Sequence, residues 1–152
     1  MINKQGGLTM FKNILVPIDG SDSAWSALRY ARVLGEKFNS TITVIHVIPP
    51  LYGVQPLNDS ALYGTYNIRE VEAIGQRLLD TAKDKLNGYP NPIKTILDFG
   101  SPSNRILTIA HKDQYDTIVI GSRGLSGVGE FFLGSVSTNI VQHAMIPVVV
   151  VK

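Results

Sequence analysis

Residues 11–18 carry a run of branched apolar side chains, Ile14, Leu15, Val16 and Ile18, without the polar alternation of a half-solvated strand. Such a run predicts a strand buried on both faces, as in parallel sheets. Asp19-Gly20-Ser21-Asp22-Ser23 then supplies a turn and capping side chains. Ala24, Ala27, Leu28, Ala31, Leu34 and Phe38 follow at helical spacing. A second buried strand, residues 41–48 with Ile42, Val44, Ile45 and Val47, is stopped by Pro49-Pro50, which cannot donate to a ladder. Residues 51–66 show no period, and loops of that length are usually functional or mobile.

The pattern then repeats. A helix is predicted over about residues 67–87, with Ile68, Val71, Leu78, Ala82 and Leu86 as its apolar face and Asn87-Gly88 as its stop. Residues 93–99 read as a weaker strand, expected near an edge. Ser101-Pro102 starts a helix, serine as cap and proline at the first helical position, with Ile106, Ile109 and Ala110 facing inward. Residues 117–121 form an apolar strand, residues 135–144 a helix, and Pro147 opens a last strand that ends at Val151. Strands separated by helices predict an α/β three-layer sandwich with a five-stranded parallel sheet. Ligands of such sheets sit beyond the carboxyl ends of the strands, where the strand order reverses.

Composition narrows the classes. At 152 residues the chain fits one domain, residues 10–152, preceded by a polar tail over residues 1–9, with Met10 as an alternative start. No cysteine is present, which excludes disulfides, thiolate metal sites and cysteine catalysis and fits a reducing, cytoplasmic location. The longest apolar runs are far shorter than the roughly 20 residues of a membrane span, and no secretory signal is expected. A net charge of +2, with scattered Lys and Arg, argues against a nucleic-acid partner.

Candidate chemistry lies after the strands. Gly121-Ser122-Arg123-Gly124, nine residues, then Gly134-Ser135 follows a buried strand and opens a helix. Glycines admit close backbone approach and positive φ, loop N–H groups make an anion-binding concavity, and the helix start adds its positive end. Ser135 and Ser137 offer hydroxyls and Arg123 a full charge. The bland alternative is a flexible turn with a helix cap. Gly127 and Gly129 in the same loop favour phosphate, although the spacing is neither a Walker loop nor GxGxxG. Asp19, at the end of the first strand, could bond a ribose, hold a phosphate-bound metal, or cap the next helix. Ser21, Asp22 and Ser23 can do that capping, which favours a functional Asp19. His46 is expected to be packed or capped rather than catalytic. The three histidines show no metal-ligand spacing. Trp25 falls on a polar helix face with Arg29, Arg32 and Glu36. It is expected either to stack on Arg29 or to anchor a partner.

Together these residues resemble the universal stress protein family. Lys12 through Ser21 looks like its opening strand, and His46-Val47-Ile48 its second. Gly121-Ser122-Arg123-Gly124 with Gly134-Ser135-Val136-Ser137 is similar to its ATP-binding pattern, and Pro147-Val148-Val149-Val150-Val151 to its closing strand. The resemblance implies a Rossmann-like fold of the adenine nucleotide alpha hydrolase type, strand order 3-2-1-4-5. It also implies a homodimer in which the last strands, Pro147 to Val151, meet. It places Pro17, Asp19, Val47, Gly121, Ser122, Arg123, Gly124, Gly134, Ser135, Val136 and Ser137 at bound ATP. There Val47 would read adenine through its backbone, and Asp19 would contact the ribose and a Mg (or Mn) ion. Thr138 stands where many members carry Glu, and Glu130 would repel a phosphate unless it points away. The function so implied is a nucleotide-dependent regulator or sensor in the stress response. Hydrolysis would be slow at most, since no Glu, Gln or His is placed as a base. The alternative is an interaction module acting through its dimer surface, its site empty or holding another ligand.

Overall fold

The computed structural model of the chain describes residues 10–50, 68–124 and 133–152; the expected tail over residues 1–9 and the aperiodic loop over residues 51–66 lie outside them. Strands β1 (Asn13–Pro17), β2 (Thr41–Ile48), β3 (Ile93–Phe99), β4 (Thr117–Gly121) and β5 (Val148–Val151) alternate with helices α1 (Asp22–Phe38), α2 (Ile68–Lys85), α3 (Pro102–Lys112) and α4 (Ser135–His143). All strand pairs are parallel, in the order β3-β2-β1-β4-β5.

Why the central strands read as unbroken apolar runs is visible in the packing. Ile14, Val16, Ile42, Val44 and Val119 point to the face covered by α1 and α2, where Ala24, Ala27, Leu28, Ala31, Leu79, Ala82 and Leu86 complete the core. Leu15, Ile45, Val47, Ile118 and Ile120 point to the opposite face, against Ile106, Ile109 and Ala110 of α3 and Ile140 of α4. Successive strand side chains face opposite sides, so both parities must be apolar when both faces are covered. β3 is an edge strand and only half-buried, as its weaker pattern predicts.

The ends of the elements obey local stereochemistry. Phe11 sits at φ 62°, which bars it from a strand, so β1 starts two residues later than the apolar run. Ser21 caps α1, its Oγ accepting from Ala24 N–H at 3.3 Å. After α2, Gly88 takes φ 77°, where a side chain would be strained. The buried face of α2 includes Gly75 and Leu79, which the predicted stripe of Val71, Leu78, Ala82 and Leu86 omits.

Trp25 needs a correction. It is half-buried against the α1–α2 core, and the cation over its ring is Lys85 of α2, 5.1 Å from the centroid. Arg29 instead donates to Ser26 Oγ at 2.9 Å. A single helical wheel cannot show this, because α2 flanks α1 and its last turn covers the ring.

Candidate functional site

The strand order reverses at β1, whose neighbours are β2 and β4, and the crevice beyond these carboxyl ends is where such a sheet receives a ligand. A cavity of about 300 Å³ opens there. Its walls come from segments far apart in sequence. Pro17 ends β1 and Ile18 and Asp19 follow it, Ile45 through Val47 lie near the end of β2 with Pro49 after it, Ile120 and Gly121 end β4 with Arg123 and Gly124 after it, and Gly134 through Ser137 open α4. Of the residues that the resemblance places at bound ATP, all but Ser122 line this cavity.

Asp19 is fixed by its neighbours. Its Oδ1 accepts from Ser21 N–H at 3.0 Å and from Ser21 Oγ–H at 2.6 Å, which sets the turn between β1 and α1. The other oxygen, Oδ2, lies 2.8 Å from the point a Cβ on Gly124 would occupy. The carboxylate therefore both shapes the turn and abuts the loop after β4. Ser23, expected only as a cap residue, ties the same loop down: its Oγ–H donates to Arg123 C=O at 2.5 Å and its oxygen receives Arg123 N–H at 3.3 Å.

Gly134 is the N-cap of α4, with extended backbone at φ −63° and ψ 159° and no side-chain cap. The N–H groups of Ser135, Val136 and Ser137 form the first turn, which carries no acidic residue of its own, so the positive end of α4 borders the cavity. Ser135 is exposed and Val136 half-buried at this rim.

Two expectations change. Ser122 and Ser137 are internal braces: Ser122 is buried, its N–H donates to Val151 C=O at 2.7 Å, and its C=O receives Gly134 N–H at 2.8 Å. Ser137 Oγ–H, also buried, is directed at Ser122 C=O (3.0 Å) and Gly134 C=O (2.9 Å). A hydroxyl has one proton, so Ser137 cannot also donate it to a ligand while these bonds stand. The glycines, too, are there for space rather than for φ. Neither Gly124 nor Gly134 adopts positive φ, and a Cβ on Gly121 would lie 2.6 Å from Ser23 C and 2.8 Å from Ala24 N, inside the backbone of α1. Gly121 is dictated by the α1 crossing, a tertiary contact with no local signal. Gly127, Gly129 and Glu130 lie outside the described residues.

The sequence reading also missed the apolar lining. Ile18, Ala24, Ile45, Pro49, Pro102, Ile106 and Ile120 line the cavity beside the polar turn. Pro49 and Pro102 were visible as element boundaries but carried no sign of lining one cavity. The lining thus combines polar groups from α4 and the Asp19 turn with apolar side chains from β2 and α3. This layout suits a molecule with an anionic tail and a flat apolar body. His46 and His143 each make a ring hydrogen bond, to Ile18 C=O and to Asn139 C=O, and His111 and His143 are exposed on α3 and α4. Among the described residues no cluster of three or more His, Cys, Asp or Glu could hold a metal ion. No helix among the described residues is long and apolar enough to cross a membrane.

Comparison with known proteins agrees with this fold. A family model described as the universal stress protein family matches residues 10–152. A protein of Staphylococcus aureus (strain USA300) named as a universal stress protein is 32% identical, the match covering 93% of this chain and 84% of that one. The solved structure of universal stress protein UspA from Lactobacillus plantarum superposes with a TM-score of 0.70 at 25% identity, covering 95% of this chain and 100% of that one. A universal stress protein from Archaeoglobus fulgidus, solved in complex with dAMP, superposes with a TM-score of 0.69 at 21% identity, covering 95% and 100%.

Proposed function

The chain belongs to the universal stress protein family, and from that premise we propose that it is a regulatory ATP-binding protein of the stress response. The observation that carries this is the convergence of Asp19, Val47, Arg123, Gly124 and the first turn of α4 on one cavity at the reversal of strand order. The phosphates lie against Gly124 and the N–H groups of Ser135, Val136 and Ser137. The adenine lies between Val47, Pro49, Pro102 and Ile106, its edge read by backbone. A relative of the same fold was solved with dAMP, which supports an adenine nucleotide as the ligand class.

A bound Mg or Mn ion would neutralise phosphate charge and orient the chain of phosphates. Asp19 Oδ2 would meet it, since Oδ1 already serves Ser21. Hydrolysis is slow at most: among the described lining residues Asp19 already has Oδ1 engaged by Ser21, and the His46 ring is turned toward α2, its Cδ2 3.1 Å from the point a Cβ on Gly75 would occupy. The protein works in the cytoplasm as a homodimer through residues 147–151. The position of β5 at the sheet edge supports that pairing, with Val141 and Met145 exposed beside it.

Mass spectrometry of the nucleotide retained by the purified protein, followed by titration calorimetry with ATP and GTP, tests the reading. ATP should bind more tightly, because guanine would oppose the fixed backbone donor and acceptor at a cost of about 1–3 kcal/mol per mismatched group. Absence of any nucleotide binding would leave the alternative of an interaction module acting through its dimer surface.

A further inference from the structure

β2 runs beyond β1. The β1–β2 ladder ends at Pro17↔Ile45, with one further bond from Ile18 N–H to Ile45 C=O at 2.9 Å. On its other side, β2 receives Gly100 N–H at Ile48 C=O, 3.0 Å. Main-chain groups of alternate residues face opposite neighbours in a parallel ladder. Ile45 therefore faces β1 and Ile48 faces β3, which turns Val47 toward β1, past its end. Continuing the ladder would carry Val47 N–H to the C=O of Ile18.

A side chain holds that acceptor instead. His46 Nδ1 lies 2.9 Å from Ile18 C=O. A carbonyl only accepts, so Nδ1 carries the proton. The ring has room because α2 has glycine where it crosses: a Cβ on Gly75 would fall 3.1 Å from His46 Cδ2. Val47 itself is buried and lines the cavity.

We propose that His46 is a positioning residue for the base. By capping Ile18 C=O it stops the β1–β2 ladder one bond short and keeps the N–H and C=O of Val47 open to the cavity. The base-reading role of these groups rests on the adenine-nucleotide reading; their openness does not. A buried main-chain pair without a partner among the described residues is a preorganised donor and acceptor, which a flat heterocycle can use without disturbing the sheet.

The experiment combines amide hydrogen exchange by NMR with titration of wild type, His46→Leu and His46→Asn. Asn places an amide donor close to the position of Nδ1. In the nucleotide-free wild type the Val47 amide should exchange fast. In His46→Leu, Val47 N–H takes the vacated Ile18 C=O, and its exchange should slow by about tenfold or more, the scale of one buried hydrogen bond. ATP affinity and the preference for ATP over GTP should fall in the same variant, and tripolyphosphate, which needs no base contact, should bind unchanged. His46→Asn should restore the wild-type pattern. A Val47 amide already protected in the nucleotide-free wild type, or unchanged in His46→Leu, overturns the proposal. Equal losses for ATP and tripolyphosphate would also overturn it, as they indicate a general structural defect. If the wild type takes no nucleotide, the proposed function fails, and Val47 exchange still decides the role of His46.

Discussion

Replacing Gly121 and Gly134 by alanine separates the two reasons a glycine can stand in this site. At Gly121 the new methyl would sit 2.6 Å from both Ser23 C and Ser23 Oγ and 2.8 Å from Ala24 N. Real Cβ atoms do not come that close, and the obstacle is helix backbone, which cannot rotate away as a side chain can. α1 would have to lift from β4, disturbing the fully buried Ala27, Leu28 and Ala31. Overpacking of this kind costs about 1–3 kcal/mol. In a domain of this size that is a fall in Tm of roughly 2–12 °C. At Gly134 the same methyl meets only ordinary contacts, 3.4 Å to Gly124 N and 3.5 Å to Arg123 Cα and Ser137 Oγ, on backbone alanine accepts. The fold should lose less than about 1 kcal/mol there, the cost of a poorer cap. The methyl would, however, stand between the loop and the first turn of α4, and ATP affinity should drop about tenfold or more. Scanning calorimetry and titration calorimetry on both variants give the answer. If Gly121→Ala keeps Tm within about 1 °C of wild type yet loses ATP, the glycine serves the ligand and the packing argument is wrong.

Other outcomes follow from the same geometry. Asp19→Asn should keep the turn, because an amide oxygen still accepts from Ser21, while weakening Mg-ATP more than metal-free ATP; equal losses in calorimetry would make Asp19 a ribose contact only. Trp25→Ala should lower stability by about 2–4 kcal/mol in denaturant titration, since the half-buried ring packs on the core; a change below about 0.5 kcal/mol would return Trp25 to the role of an exposed anchor. Burial raises the pKa of Asp98, but its hydrogen bond from Arg105, the Phe99 N–H and the Arg105 charge outweigh that and hold it below the usual carboxylate range. A depressed folded-state pKa contributes stability above the unfolded value of about 4 and loses it as pH falls through the folded value. Asp98→Asn should therefore flatten the acid limb of the stability curve, and an unchanged limb would exclude the pair as its cause.

The strands were legible because a strand covered on both faces buries both parities of its side chains, and β1, β2 and β4 carry branched apolar residues on both. Asp19, Gly124 and Gly134 were legible because they immediately follow a strand or precede a helix, where the fold must turn. What escaped was whatever depended on a neighbour distant in the chain. Gly121 answers to α1, Trp25 to Lys85 of α2, and Ser137 to Ser122, none of which a local pattern reveals. The apolar lining from Pro49, Pro102 and Ile106 was hidden for the same reason, since β2 and α3 meet only once the sheet is assembled.

The cavity walls run from Pro17 to Ser137, drawing on β1, β2, β4, α3 and α4. No fragment or partly opened form of the chain contains the whole binding surface. A molecule that fills it discriminates between the complete fold and everything less, and at a hundredfold excess over its Kd it would add about 2.7 kcal/mol to the folded side. The protein's resistance to a protease would then track the supply of that molecule, so its abundance in a cell could rise and fall with a metabolite pool without any change in synthesis.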